Sequence, residues 1–207
     1  MATTLQPPPT TRVPSGASLR RVQPYDPEAA KTGIWVALAA ITMTFAAFTS
    51  AMVVREGSAN DWRHFSFPPV LYFNTLALLA SSFTLQIARR RFAALVSGAV
   101  ADARPALRAL YATFALGSVF VAGQYVAWLR LRSEGVYLAT TPSSSFFYVF
   151  TVLHALHVIG GLGGLLLVIT RLKRMALRRS TMKAASQYWH FMDVLWVYLL
   201  FLLWLRI

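Results

Sequence analysis

Five long apolar runs constrain this chain more than any other feature of its sequence. They are Gly33–Val54, Pro68–Ala88, Ala109–Leu129, Phe146–Thr170 and Tyr188–Leu205. Each approaches or exceeds the roughly 20 apolar residues needed to cross about 30 Å of hydrocarbon. Strands are excluded by the length of the runs and by their lack of period-2 alternation. A backbone in lipid must satisfy its own hydrogen bonds, so helices remain. The expected fold class is all-α, an integral membrane bundle of five transmembrane helices. Composition agrees, with 57% of the 207 residues hydrophobic and 13% charged. A soluble domain usually carries about 25% charged residues.

The basic residues set an expected orientation. The loops after the second and fourth runs hold Arg89, Arg90, Arg91, Arg104 and Arg108, then Arg171, Lys173, Arg174, Arg178, Arg179 and Lys183. With Arg12, Arg20, Arg21 and Lys31 of the N-terminal segment, they put fifteen cations on one side. Arg55, Arg63, Arg130, Arg132 and Arg206 put five on the other. The N-terminus is therefore expected in the cytoplasm and the C-terminus outside, on the periplasmic face. The formal net charge of +13 is read as this bias, and nucleic acid is not an expected partner. Residues 1–32, rich in Pro and Arg, read as a flexible cytoplasmic tail, and residues 33–207 as the transmembrane domain.

The chain has no cysteine, which removes disulfides, iron–sulfur clusters and thiolate chemistry together. One formally charged side chain lies inside a run, Asp193, with His190 one turn before it and Trp196 nearly one turn after. A carboxylate at that depth needs a partner or a task. A structural hydrogen bond that locks the last helix is weighed above a proton or subunit-contact site. His154 and His157 stand one turn apart, a spacing also compatible with metal or heme, but further ligands would be required. No third inward-facing His is expected at that depth, because His64 is read in an external loop and His190 near the cytoplasmic side. Hydrogen bonding inside the bundle is the expected role of the pair. Gly160 and Gly164 form a small-xxx-small pair flanked by Gly161 and Gly163, which lets another helix come close. Asn74 and Gln124 lie in the outer half of their runs and are expected to be able to meet. From the residues alone, the chain is a helical bundle with no catalytic centre of its own. It could be a partner subunit, an assembly factor or a small stand-alone transporter.

Four stretches in fixed order carry a resemblance. They are PPVLYFNTLALLASSFTLQIA (Pro68–Ala88), GSVFVAGQYVAWLRL (Gly117–Leu131), FFYVFTVLHALHVIGGL (Phe146–Leu162) and YWHFMDVLWVYLLFLLWL (Tyr188–Leu205). The last two are the specific ones, with His-x-x-His-Val-x-x-Gly and Tyr-Trp-His-Phe-x-Asp-x-x-Trp. Together they resemble subunit III of heme-copper oxidases, in its five-helix form. The resemblance implies a non-redox subunit in a bacterial plasma membrane, with no heme, copper or other metal bound by this chain. Heme and copper would sit in a catalytic subunit I, accompanied by subunit II, and structural phospholipid would be held. It implies structural, lipid-contacting or subunit-contacting roles for His154, His157, Gly160, Tyr188, Trp189, His190, Asp193 and Trp196, beside Asn74 and Gln124. Many members carry two buried acids where Ile41 and Ala127 stand here. An accessory subunit of a nitric oxide reductase-type complex is the alternative within this resemblance.

Overall fold

The computed structural model describes residues 27–58, 60–62 and 69–206. Most of the expected N-terminal tail, His64 and Pro68 fall outside these residues. Five helices follow in order: α1 (Pro27–Ser58), α2 (Val70–Val96), α3 (Arg104–Ser133), α4 (Pro142–Lys173) and α5 (Arg179–Arg206). All five are long and apolar enough to cross a membrane, and the described residues hold no strand.

Each helix is longer than its apolar run, for local reasons. α1 starts at Pro27, so residues 27–32, read as tail, are helical. Proline suits a first helical position, where its missing N–H costs nothing. α2 continues past Ala88 through three arginines to Val96. α4 begins four residues before Phe146 because Thr141 and Ser144 form a reciprocal cap around Pro142. The Thr141 hydroxyl accepts from the Ser144 N–H at 3.2 Å, and the Ser144 hydroxyl accepts from the Thr141 N–H at 3.1 Å. Such a cap satisfies N–H groups that the first turn leaves free.

α2, α3, α4 and α5 close a ring in which each packs on the next and α5 returns to α2. α1 lies outside the ring against α4 and α5 and makes no close approach to α2 or α3. Phe45 and Phe48 of α1 pack on Phe150 of α4, with ring centroids 6.3 and 6.2 Å apart. The α1 Thr49 hydroxyl shares a 2.9 Å hydrogen bond with Tyr198 of α5.

One end of the bundle is held by polar contacts. Trp62, between α1 and α2, donates its indole N–H to the Arg206 carbonyl at 2.7 Å, and Arg206 donates to Glu56 at 3.1 Å. Arg55 grips Asp61 through two bonds of 2.9 and 2.6 Å. That grip holds the Asp61 carboxyl below its ordinary value near 3.8. Large apolar side chains such as Trp35, Phe73, Phe83, Phe201 and Trp204 face outward from the bundle. Apolar exposure on this scale suits lipid or a partner subunit.

Candidate functional site

The polar residues singled out in the sequence fall into two layers of different character, and Gly160 is exposed outside both. The first is the α2–α5 interface, which is a ladder of side-chain hydrogen bonds. As α2 ascends, α5 descends, so successive turns of one meet successive turns of the other. Trp196 donates its indole N–H to Thr75 at 3.0 Å. One and a half turns along α2, Trp189 donates to the Ser81 hydroxyl at 2.9 Å. Both hydroxyls in turn donate to carbonyls of their own helix, Thr75 to Leu71 and Ser81 to Leu78.

Ser82 ties the charged pair together. Its hydroxyl lies 2.7 Å from His190 Nδ1 and donates to Asp193 Oδ2. One proton placement satisfies both contacts: the imidazole N–H gives to the serine oxygen, and the serine O–H gives to the carboxylate. His190 and Asp193 are themselves 3.9 Å apart. Asp193 of the last helix is thus hydrogen-bonded across the interface to Ser82 of α2. The second carboxylate oxygen, Oδ1, is buried with no hydrogen-bond partner among the described residues.

Trp189 reaches its place because two glycines make room. A Cβ on Gly117 of α3 would stand 2.7 Å from the far edge of the indole, and one on Gly161 of α4 would stand 3.1 Å from it. Real Cβ atoms are essentially never found at the first distance. The close approach expected at Gly160 and Gly164 therefore falls at Gly161. Gly160 is exposed, with only the Tyr188 hydroxyl near, at 3.9 Å, and Gly164 has nothing within 4 Å. The helical register explains the shift, since Gly161 is the member of the group turned towards α5. Tyr188 supports the same contact by donating to the His157 carbonyl at 2.9 Å.

The second layer involves Asn74, Gln124 and His154, all fully buried. Asn74 points at Gly123 of α3, where a Cβ would stand 2.0 Å from its carboxamide oxygen. Neither Asn74 nor Gln124 hydrogen-bonds, to each other or to any described residue. Asn74 lies against the residue just before Gln124. His154 also lacks a hydrogen-bond partner on either nitrogen. Instead its ring is wedged between Trp196 at 5.1 Å and Phe120 at 5.8 Å, and Phe120 meets Trp196 edge-on at 4.9 Å. The hydrogen bond expected of His154 is replaced by aromatic packing, because the neighbouring helices present rings at its level. His157 Nδ1 lies 2.7 Å from the Leu153 carbonyl of its own helix. Among the described residues, no three of His, Cys, Asp or Glu come together as metal ligands. Ala127 is fully buried in the core, and Ile41 is half-buried against it.

The sequence marks the α5 residues and reads Thr75, Ser81 and Ser82 as interhelical glue, but it does not show that the two sets are partners until α2 is placed beside α5. Phe120 stands in the Gly-x-x-Phe stretch of the third run, but nothing in the sequence places it beside His154.

Comparison with known proteins agrees with this architecture. The profile of the cytochrome c oxidase subunit III family matches residues 33–206. A probable cytochrome c oxidase subunit 3 of Nocardia farcinica is 33% identical over 196 residues, covering 89% of this chain and 92% of the relative. A probable cytochrome c oxidase subunit 3 of Mycobacterium tuberculosis is 33% identical over 186 residues, covering 83% and 85%. The cytochrome c oxidase subunit 3 of Thermostichus vulcanus is 32% identical over 189 residues, covering 84% and 85%. These matches do not favour the transporter or the nitric oxide reductase reading. A five-helix membrane bundle matched by this profile over nearly its whole helical length belongs to the subunit III family of heme-copper oxidases.

Proposed function

We propose that this chain is a non-redox scaffold in a bacterial respiratory oxidase. It sits in the plasma membrane against catalytic subunit I, with subunit II in the same complex, and holds structural phospholipid between them. Heme and copper reside in subunit I, where dioxygen is reduced and protons are pumped. This chain stabilises that subunit and contributes no reacting group. Its basic end, with the α2–α3 and α4–α5 loops, faces the cytoplasm.

The observation that carries this reading is how the polar side chains inside the ring are used. Ser81, Ser82, Thr75, His190, Asp193 and the two indoles bond to one another across helices. They rigidify a bundle whose outer faces stay apolar. A rigid apolar face is what a neighbouring membrane subunit can pack against. Interhelical bonds of this kind contribute about 0.6 kcal/mol each, so the ladder acts as a sum of small terms.

Affinity purification of the tagged chain from its native membrane tests the reading. A large heme-copper subunit should copurify, and the chain stripped from it should show no heme spectrum. Removing the chain should leave dioxygen reduction measurable at first, with activity then decaying faster during turnover. Absence of any heme-copper partner would refute the placement. Identical inactivation with and without the chain would refute the stabilising role.

A further inference from the structure

His190, Ser82 and Asp193 connect a half-exposed titratable group to a buried one through a single hydroxyl. The His190 side chain is 38% exposed and that of Asp193 7%. The proton placement described above leaves Asp193 a carboxylate. A second placement makes the same two bonds in the reverse sense. Asp193 Oδ2–H then gives to the serine oxygen, and the serine O–H gives to an unprotonated His190 Nδ1. This second placement holds one proton more and leaves no charge on the carboxyl. The difference matters at Oδ1, which is buried with no hydrogen-bond partner among the described residues. An unpartnered oxygen at that depth costs less on a neutral acid than on a carboxylate.

The surroundings open this site at one end only. Gln187 and Lys183 lie one and two turns before His190 on the same face of α5, which runs to the basic end of the bundle. On α2, Arg89 lies two turns from Ser82, and its charge is felt at His190. In the other direction, the stripe of α5 that carries His190 continues as Val194, Val197 and Phe201, all exposed and apolar. Inside the ring, the neighbouring polar hydrogens of the α2–α5 interface are committed elsewhere. Trp196 gives its N–H to Thr75, and Thr75 gives its own hydrogen to the Leu71 carbonyl. Trp189 gives to Ser81, and Ser81 to the Leu78 carbonyl. The apolar runs of α1, α2, α3 and α4 carry no acid, lysine or arginine. Of the α4 histidines, His154 is wedged among rings and His157 sits at the Leu153 carbonyl, while Tyr188 gives to the His157 carbonyl. A proton that reaches Asp193 therefore meets no onward acceptor among the described residues.

We propose that Ser82, His190 and Asp193 form a dead-end proton-binding site, loaded from the basic end of the bundle through the imidazole. A proton from water at that end bonds to His190 Nε2. The Nδ1 proton passes to the Ser82 oxygen as the serine's own proton passes to Asp193 Oδ2. Each transfer breaks one bond to hydrogen as it forms the next, and the net change is one proton gained by the carboxyl. His190 ends neutral, in its other tautomer, and unloading is the reverse. The site goes beyond the scaffold role and rests on the geometry of this chain alone, not on its partners.

The test uses the full chain with any subunits that accompany it, in lipid-bilayer discs. Infrared difference spectra between acid and alkaline buffer report a buried carboxylic acid by its C=O stretch, which shifts in heavy water. One such band should be present at the acid side, vanish at the alkaline side, and be missing from Asp193→Asn. After a rapid pH jump, Ser82→Ala should slow the change of this band by roughly 100-fold, since a positioned proton carrier has been removed. Ser82→Thr should restore the rate, His190→Gln should slow it as Ser82→Ala does, and His157→Gln should leave it unchanged. Helix content and melting of each variant report whether it has folded, and His190→Gln carries the comparison if Ser82→Ala does not fold. A full set of carboxylic acid bands in folded Asp193→Asn would show that Asp193 binds no proton, and the site would fall. A band that changes as fast in folded Ser82→Ala or His190→Gln as in the unaltered chain would overturn the route through the imidazole and hydroxyl.

Discussion

The two polar layers of this bundle differ both in burial and in pairing. Along α2–α5, Thr75, Ser81 and Ser82 each receive a named group from Trp196, Trp189 and the His190–Asp193 pair. Around α3, Asn74, Gln124 and His154 are fully buried, deeper than half-buried Thr75 and Ser82, yet have no partner among the described residues. A buried polar residue in a membrane helix is thus not automatically glue. Thr75 and Ser81 succeed in the first layer because each donates to its own helix and still accepts from a neighbour, while Ser82 bonds outward to both His190 and Asp193. The Asn74 and Gln124 carboxamides and the His154 imidazole meet no such partner, because the facing helices offer Gly123, Phe120 and Trp196 instead. The first layer fixes the helices by direction, the second by shape.

The largest effect is expected where the first layer is thickest. Trp189→Ala removes both the Ser81 bond and the side chain that fills the space left by Gly117 and Gly161. Truncation of a buried tryptophan costs about 3–5 kcal/mol. Gly117→Ala attacks the same contact from the other side and should cost about 1–3 kcal/mol through overpacking. Combining Gly117→Ala with Trp189→Phe should cost less than the sum of the two, since the smaller ring leaves room for the added methyl. Unfolding of the detergent-solubilised chain by titrated denaturing detergent measures all three. Strict additivity would show that the glycine and the indole do not share one contact.

A smaller effect is expected at Ser82. Ser82→Ala leaves His190 and Asp193 without their shared hydroxyl, and the carboxylate with no acceptor bond on either oxygen. Interhelical hydrogen bonds average about 0.6 kcal/mol and rarely exceed about 1.7 kcal/mol. The loss should fall inside that range, and Ser82→Thr, which keeps the hydroxyl, should recover most of it. The same unfolding titration decides. A loss well beyond the range would mean that Asp193 is held by more than this one bridge. His154→Leu serves as the contrast from the other layer, and heme and copper per catalytic subunit should be unchanged by it.

Much of the fold was legible because a membrane translates one physical demand directly into sequence. All five helices stood out as apolar runs, and only their ends were misjudged. Arg89 to Val96 is helical despite three charges, because at the membrane surface arginines can remain solvated while the helix continues. Pro142 to Ser145 is helical because of a cap that apolar counting ignores. The site was legible on one side only. The face shared by His190, Asp193 and Trp196 follows from spacing within α5, which sequence displays. That the face meets α2 depends on the order of helices around the ring, which sequence does not display. His154 was read as a hydrogen-bonding residue for the same reason. Its true neighbours, Phe120 and Trp196, come from two other helices and are recognisable only once those helices are in place.

The smallest effect should come from the unpartnered layer, and its sign is informative. Gln124 is fully buried with neither end of its carboxamide bonded to a described residue. Leaving a polar group buried and unsatisfied costs about 1–3 kcal/mol. Methionine has nearly the same length and volume and carries no such penalty, and volume-conserving changes in a core usually stay below about 1.5 kcal/mol. Gln124→Met should therefore leave the bundle as stable as before or slightly more stable. Asn74→Leu is a poorer probe, because its branched end would press on Gly123, where Asn74 already lies tight. Should Gln124→Met instead destabilise by more than about 1.7 kcal/mol, the upper end for a membrane hydrogen bond, the carboxamide must be satisfied in the folded protein. The remaining candidate would be an ordered internal water, which needs two or more polar partners. Asn74 and His154 are the other fully buried side chains of this layer with no partner among the described residues. That outcome would turn the second layer from a packing device into a water-bridged version of the first, and the contrast between the two would reduce to whether the bridge is a serine hydroxyl or a water.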